Sequence, residues 1–209
     1  MPELAKVRMQ NYLQPARRVR SRQRWIALTI AGALGFASCH NGIAQSATAV
    51  SSADVEAAYL YNFGKFIDWP SPQSDPASAP FSICIVGKDE FGSTLDSLIQ
   101  NDTVKGHAII ARHLPSVADA GSCQILFLAS SEKVRLAKDL DELKEKPVLT
   151  VSSLPGFLEQ GGMIQFLPQN NRVRFAVNLA ATDHAHLALS SELLKVAVYV
   201  SPKPAQEGE

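Results

Sequence analysis

Two short runs constrain this chain more than anything else in it. Phe81-Ser-Ile-Cys-Ile-Val86, closed by Gly87, and residues 124–129, Gln-Ile-Leu-Phe-Leu-Ala, are apolar almost without interruption. A strand with one wet face alternates apolar and polar side chains. An unbroken apolar strand is buried on both faces, the condition of a parallel sheet with helices on either side. The neighbouring segments agree. Residues 91–99 and 132–143 repeat apolar positions at helical spacing, the second with Leu136, Leu140 and Leu143 on one face. Residues 107–112 and 147–152 read as further strands. The expected fold is α/β: a three-layer α/β/α sandwich, mostly parallel sheet with an antiparallel edge hairpin.

That hairpin lies near the end of the chain. Residues 163–167 and 172–179 are strand-like and are bridged by Pro168-Gln169-Asn170-Asn171. In the second strand Val173, Phe175, Val177 and Leu179 share a face, while Arg172, Arg174 and Asn178 share the other. A closing helix is expected over residues 190–198, with Ser190 as N-cap. At the other end, Val55, Tyr59, Phe63, Phe66 and Ile67 recur at spacings near four, until Trp69-Pro70 stops the helix. Residues 71–80 are proline-rich and read as a loop.

Charge divides the chain. Residues 1–44 hold seven Lys and Arg against one acid, which leaves 13 bases and 19 acids, a net charge of −6, for residues 45–209. A nucleic-acid binder needs a basic footprint, so no nucleic-acid partner is expected. The basic run over residues 17–24 leads straight into an apolar stretch from Trp25 to Ser38, followed by small residues. That is the pattern of a signal peptide, too short to span a bilayer comfortably. The expected layout is a signal peptide over 1–44, a flexible lead-in over 45–53, a folded domain over 54–199 and a flexible tail over 200–209. A retained anchor and a lipoprotein attached through Cys39 are the alternatives. With Cys39 removed or lipidated, Cys84 and Cys123 remain. An even count in an oxidising compartment argues for a disulfide, two buried free thiols being the other reading.

Chemistry-bearing motifs are sparse. Gly161-Gly162 lacks the lysine of a phosphate loop, and no nucleophile elbow occurs. Ser130-Ser131-Glu132-Lys133 matches a Ser-x-x-Lys pattern, but Ser130 reads as a helix N-cap; Ser191 is the other conceivable nucleophile of a hydrolase. His184-Ala185-His186 is two residues apart on a helix, so its imidazoles do not face one another, and both read as surface histidines. Asp139-Leu140-Asp141-Glu142 lies among lysines and reads as a solvated face. No catalytic residue, metal site or cofactor is expected, and the chain is not read as an enzyme.

Two features invite a partner. The first helix is dense in aromatics, with Tyr61 expected off the face that holds Tyr59, Phe63 and Phe66. The segment from Leu154 to Ile164 sets an exposed apolar pair between a Pro-Gly turn and a double glycine. Each has a plain alternative, core packing for the helix and a tight strand connection for the loop.

Several ordered motifs resemble the YfiR-like family of bacterial periplasmic regulators. They are Ala57-Ala58-Tyr59-Leu60-Tyr61-Asn62-Phe63 with Trp69-Pro70, Cys84-Ile85-Val86-Gly87, and Cys123-Gln124-Ile125-Leu126-Phe127. Leu149-Thr150-Val151-Ser152, Gln160-Gly161-Gly162-Met163-Ile164, Asn171-Arg172-Val173-Arg174-Phe175 and Leu189-Ser190-Ser191-Glu192-Leu193-Leu194 follow in order. The resemblance covers residues 53–198. It implies a non-enzymatic periplasmic signalling regulator that binds and represses the sensor region of an inner-membrane diguanylate cyclase, lowering cyclic di-GMP and biofilm output. An outer-membrane sequestering partner and redox control of a disulfide also occur in the family, and members stand beside histidine kinases and transporters. Cys84 and Cys123 fall at the family's common cysteine pair, and no cysteine follows Cys123 to form the second bridge of some members. The runner-up is a small-ligand receptor or an adaptor for a kinase or transporter. A homodimer is left open. The expected partner surface is the loop and hairpin carrying Phe157, Glu159, Met163, Ile164, Arg174 and Asn178; the alternative surface is Tyr59, Tyr61 and Trp69.

Overall fold

The first helix, α1 (Ser52–Phe66), is fixed by its cap. Ser51 Oγ accepts the Asp54 N–H at 3.1 Å, and the Asp54 carboxylate accepts the Ser51 N–H at 2.9 Å. These positions come from a computed structural model, which describes residues 50–70 and 79–201. The expected signal peptide, most of the lead-in and of the proline-rich loop, and most of the tail lie outside the described residues.

After α1 come β1 (Ile67–Asp68), β2 (Phe81–Val86), α2 (Ser93–Ile99), β3 (Thr103–Val104) and β4 (His107–Leu114). A short 3-10 helix over Val117–Ser122 leads to β5 (Ile125–Leu128), and a second over Ser130–Glu132 precedes α3 (Leu136–Leu143). Then follow β6 (Leu149–Ser152), β7 (Ile164–Gln169), β8 (Arg172–Asn178), α4 (Leu179–His184), β9 (Ala188–Leu189), α5 (Ser191–Val196) and β10 (Tyr199–Ser201). Eight of these strands form one sheet, in the order β3-β4-β2-β5-β6-β7-β8-β10. The run from β4 to β7 is parallel; β3 and β8 are antiparallel to their neighbours β4 and β7, and β10 runs parallel to β8. Separately, β1 pairs with β9. The mixed α/β sandwich with a mostly parallel sheet is what the apolar runs required.

Alternation within those runs divides the interior in two. On β2, Phe81, Ile83 and Ile85 join the core beneath α1 and α2, while Cys84 and Val86 join the core beneath α3. On β5, Ile125 and Phe127 take the first side, Leu126 and Leu128 the second. Every residue of both strands is buried, which is why both are apolar but for Ser82.

Four local readings are corrected. The helix expected from residue 132 begins at Leu136, because Glu132 closes a 3-10 turn, is buried and is paired with Arg135. Ser130 is not a cap: its Oγ bonds Glu90 instead. The hairpin turn is only Asn170-Asn171, both with positive φ (51° and 57°), while Pro168 and Gln169 pair with Val173 and Arg172. Finally, β10 and α4 follow the hairpin, so β8 is covered on its outer side from Ala176 to Asn178. Ser190 does cap the last helix, accepting the Leu193 N–H at 3.2 Å.

Candidate functional site

In an open parallel sheet, ligands gather at the carboxyl ends of the strands where the chain changes direction. Here that point lies between β2 and β5, since β4 follows β2 on one side and β5 lies on the other. The chain's own groups fill it. Glu90, after β2, accepts the N–H of Ser130 at 3.1 Å and its hydroxyl at 2.5 Å. Ser131 Oγ accepts the Lys88 N–H at 2.9 Å. Gly87 sits with φ +94° so tightly that a Cβ would meet Ser131 Oγ at 2.3 Å. Beside them Ser153 donates to Glu56 at 2.8 Å. Burial pushes the Glu56 carboxyl above its usual range, and Glu90 adds to that push against the Ser153 hydrogen bond. Ser130, one of two conceivable nucleophiles, is thus bonded to a carboxylate rather than to a histidine; Ser191 stands exposed at the start of α5.

The disulfide expectation is met. Cys84 in β2 and Cys123, just before β5, are bonded with Cα atoms 6.0 Å apart and a sequence separation of 39. Both are buried beneath α3.

The loop after β6 is where expectation and structure differ most. Phe157 is fully buried, with Leu154, in the α3-side core. Its ring lies against Gly162, where a Cβ would be 2.2 Å from it, and that contact is the reason for the second glycine. Met163 and Ile164 are buried on the α1 side. These three residues therefore cannot serve as exposed apolar contacts in this fold. The sequence reading failed because a Pro-Gly turn and a double glycine look alike whether the loop stands out or folds inward. Of the remaining expected residues, Glu159 is exposed and Arg174 half-buried. Asn178 is half-buried and structural: it accepts the Ala181 N–H at 3.1 Å, capping α4, and donates to Leu158 O at 3.2 Å.

The aromatic helix is committed inward. The Tyr59 ring packs with Phe63, Phe166 and Phe175, at centroid separations of 5.3–6.0 Å. Burial pushes the Tyr59 phenol above its ordinary value, against the nearby Arg174 charge. Tyr61, expected off the buried face, is itself buried, because α2 packs on α1 and widens the arc that leaves water. Its hydroxyl bonds Asp102 and Lys65, and Tyr61 above all holds the Asp102 carboxyl below its usual range. Trp69 stands edge-on to Phe81 at 5.2 Å and donates Nε1–H to Gln124 O at 3.0 Å.

Two buried polar atoms were missed by sequence reading. Asp139 is buried on α3, with Oδ2 lacking any hydrogen-bond partner, so that part of the acidic run is not a solvated face. Burial pushes its carboxyl up, with Arg135 opposing. The second is Arg174 Nε, also without an acceptor. Glu145, Asp183, His184 and His186 line an open hollow of about 350 Å³. Among the described residues no three His, Cys, Asp or Glu side chains gather closely enough to hold a metal ion. None of the described helices is long and apolar enough to cross a membrane.

Among solved structures the chain is similar to a conserved domain protein from Vibrio cholerae O1 biovar eltor str. N16961, with 9% identity and a TM-score of 0.47. That similarity covers 72% of this chain and 60% of the other. It is similar also to an ABC domain in complex with L-Trp from Streptococcus pneumonia, with 9% identity, a TM-score of 0.46, and coverage of 71% and 60%. The chain thus spans about three-fifths of the length of each. No curated protein matches it. Residues 53–198, from the first turn of α1 to the residue before β10, match the YfiR/HmsC-like family, and the chain belongs to it.

Proposed function

We propose that this protein is an exported, non-catalytic regulator that binds the periplasmic region of an inner-membrane diguanylate cyclase and holds it inactive. Membership of the YfiR/HmsC-like family carries the reading. The filled strand ends support it, since the hydroxyls there are bound to Glu90 and the backbone rather than presented to a substrate. The buried Cys84–Cys123 bridge suits an oxidising compartment. Residues 1–44 act as the export signal and are removed.

The test is the cyclic di-GMP content of cells in which the chain is deleted and then restored. Deletion should raise cyclic di-GMP, and restoration should lower it only while the partner cyclase is present. Unchanged cyclic di-GMP on deletion in every cyclase background would end the proposal. Amino-terminal sequencing of the periplasmic protein checks the signal: a start near residue 45 is expected, and a retained residue 1 refutes removal.

A further inference from the structure

The corner of the sheet formed by β8 and β10 combines three properties found together nowhere else among the described residues. The first is exposed apolar area. Six large apolar side chains among the described residues stand exposed, and three of them, Val196, Val198 and Tyr199, fall within residues 196–199. Tyr199 is 57% exposed. The second is unpaired positive charge. Neither Arg172 nor Arg174 forms an ion pair among the described residues, although residues 45–209 carry a net charge of −6. The third is an unmet hydrogen bond: Arg174 Nε is buried without an acceptor. That nitrogen is sealed from solvent and cannot itself meet a partner, but it shows that no acceptor of the chain's own anchors this side of the half-buried guanidinium.

Register brings these together. Val173, Phe175 and Val177 face the α1-side core, so alternation turns Arg172, Arg174 and Ala176 to the opposite face of β8. Tyr199 lies beside Ala176 on β10, and Leu167 beside Arg174 on β7. Leu167, Arg174 and Tyr199 therefore share one face, at the edge where β10 is the last strand. β10 is only three residues long, so its free backbone edge is too short to hold a partner alone, and side chains must supply most of the recognition.

We infer that this corner is the docking surface for an extended acidic segment of the regulated protein, which lies along β10, covers Tyr199 and places a carboxylate on Arg174. This rests on the regulatory reading above. Charge decides the occupant: a second copy docked two-fold through the same corner would bring Arg172 and Arg174 toward their own counterparts, whereas an acidic segment meets them with the opposite sign. An arginine and a tyrosine at the centre of such a contact are the residue types that most often dominate binding.

The test probes the mature chain with short overlapping peptides from the periplasmic segments of the host cell's inner-membrane cyclases, histidine kinases and transporters. Bound peptides should combine Asp or Glu with large apolar residues. Arg174→Glu and Tyr199→Ser should each weaken binding about tenfold or more, with melting unchanged, while Glu145→Gln leaves it alone. No bound peptide, bound peptides without acids, or binding indifferent to both substitutions would overturn the surface. If kinase or transporter peptides alone bind through Arg174, the surface stands and the cyclase reading falls. If both variants still repress a cyclase in cells, the cyclase reading stands and the surface falls.

Discussion

Asp139 carries a buried oxygen with no partner, and that gives a pH signature with a definite sign. Burial raises its folded pKa, so between the ordinary aspartate range and that raised value the folded chain holds a proton that the unfolded chain has lost. Its effect on stability is therefore favourable at low pH and declines as pH rises through this window. Asp139→Asn should remove the decline and stabilise the fold near neutrality by about 1 kcal/mol, because the amide carries no charge to be buried, while its own unmet polar atom limits the gain. Urea unfolding of parent and variant across pH checks this through their difference, which cancels opposing groups such as Asp102, whose carboxyl is held low by Tyr61. A difference that stays flat with pH would contradict it. Gly162 makes the steric counterpart. A methyl there would lie inside the Phe157 ring, so Gly162→Ala should cost about 1–3 kcal/mol by overpacking, recovered in part by Phe157→Leu.

The elements that came straight from the sequence were those whose local pattern and tertiary role agree. β2 is found over the expected residues, and β5 and β8 within one residue of theirs, because strands covered on both faces or alternating against a core leave that pattern in the sequence. What was missed was short or set from a distance. β1, β3, β9 and β10 have two or three residues each, too few to show any period. The surface role given to Phe157 failed for the same reason: nothing local records that the loop folds down onto Gly162. The hairpin turn, by contrast, is legible in hindsight. Both Asn170 and Asn171 take positive φ, which asparagine tolerates and β-branched residues do not. Asn171→Val should cost about 1–2 kcal/mol and Asn171→Gly little or nothing, as thermal melting would show. The bridge between β2 and the start of β5 is a larger effect. Cys84→Ala should lower stability by about 2–5 kcal/mol, and because both sulfurs are buried, reductant should open the bridge in native protein only as fast as the fold itself opens.

At the scale of the molecule, the two cores place different demands on any search for the partner surface. Phe157 fills the α3-side core, and Met163 and Ile164 fill the α1-side core, so the loop after β6 ties both layers to the same stretch of chain. Phe157→Ala should then cost about 3–5 kcal/mol and lower the level of folded protein, so that under the proposed function repression is lost for want of folded regulator. Loss of repression in that variant says nothing about contact. Glu159 is exposed and within the same loop, so Glu159→Ala should melt as the parent does, and any change it makes in repression reports the surface directly. Arg174→Glu divides the outcomes further, for it reverses charge at the β8–β10 corner without emptying either core. With abundance held equal by immunoblot, repression should survive Glu159→Ala and fail in Arg174→Glu. The opposite pattern, repression lost with Glu159→Ala and kept with Arg174→Glu, would move the contact from the corner of the sheet to the exposed rim of the loop.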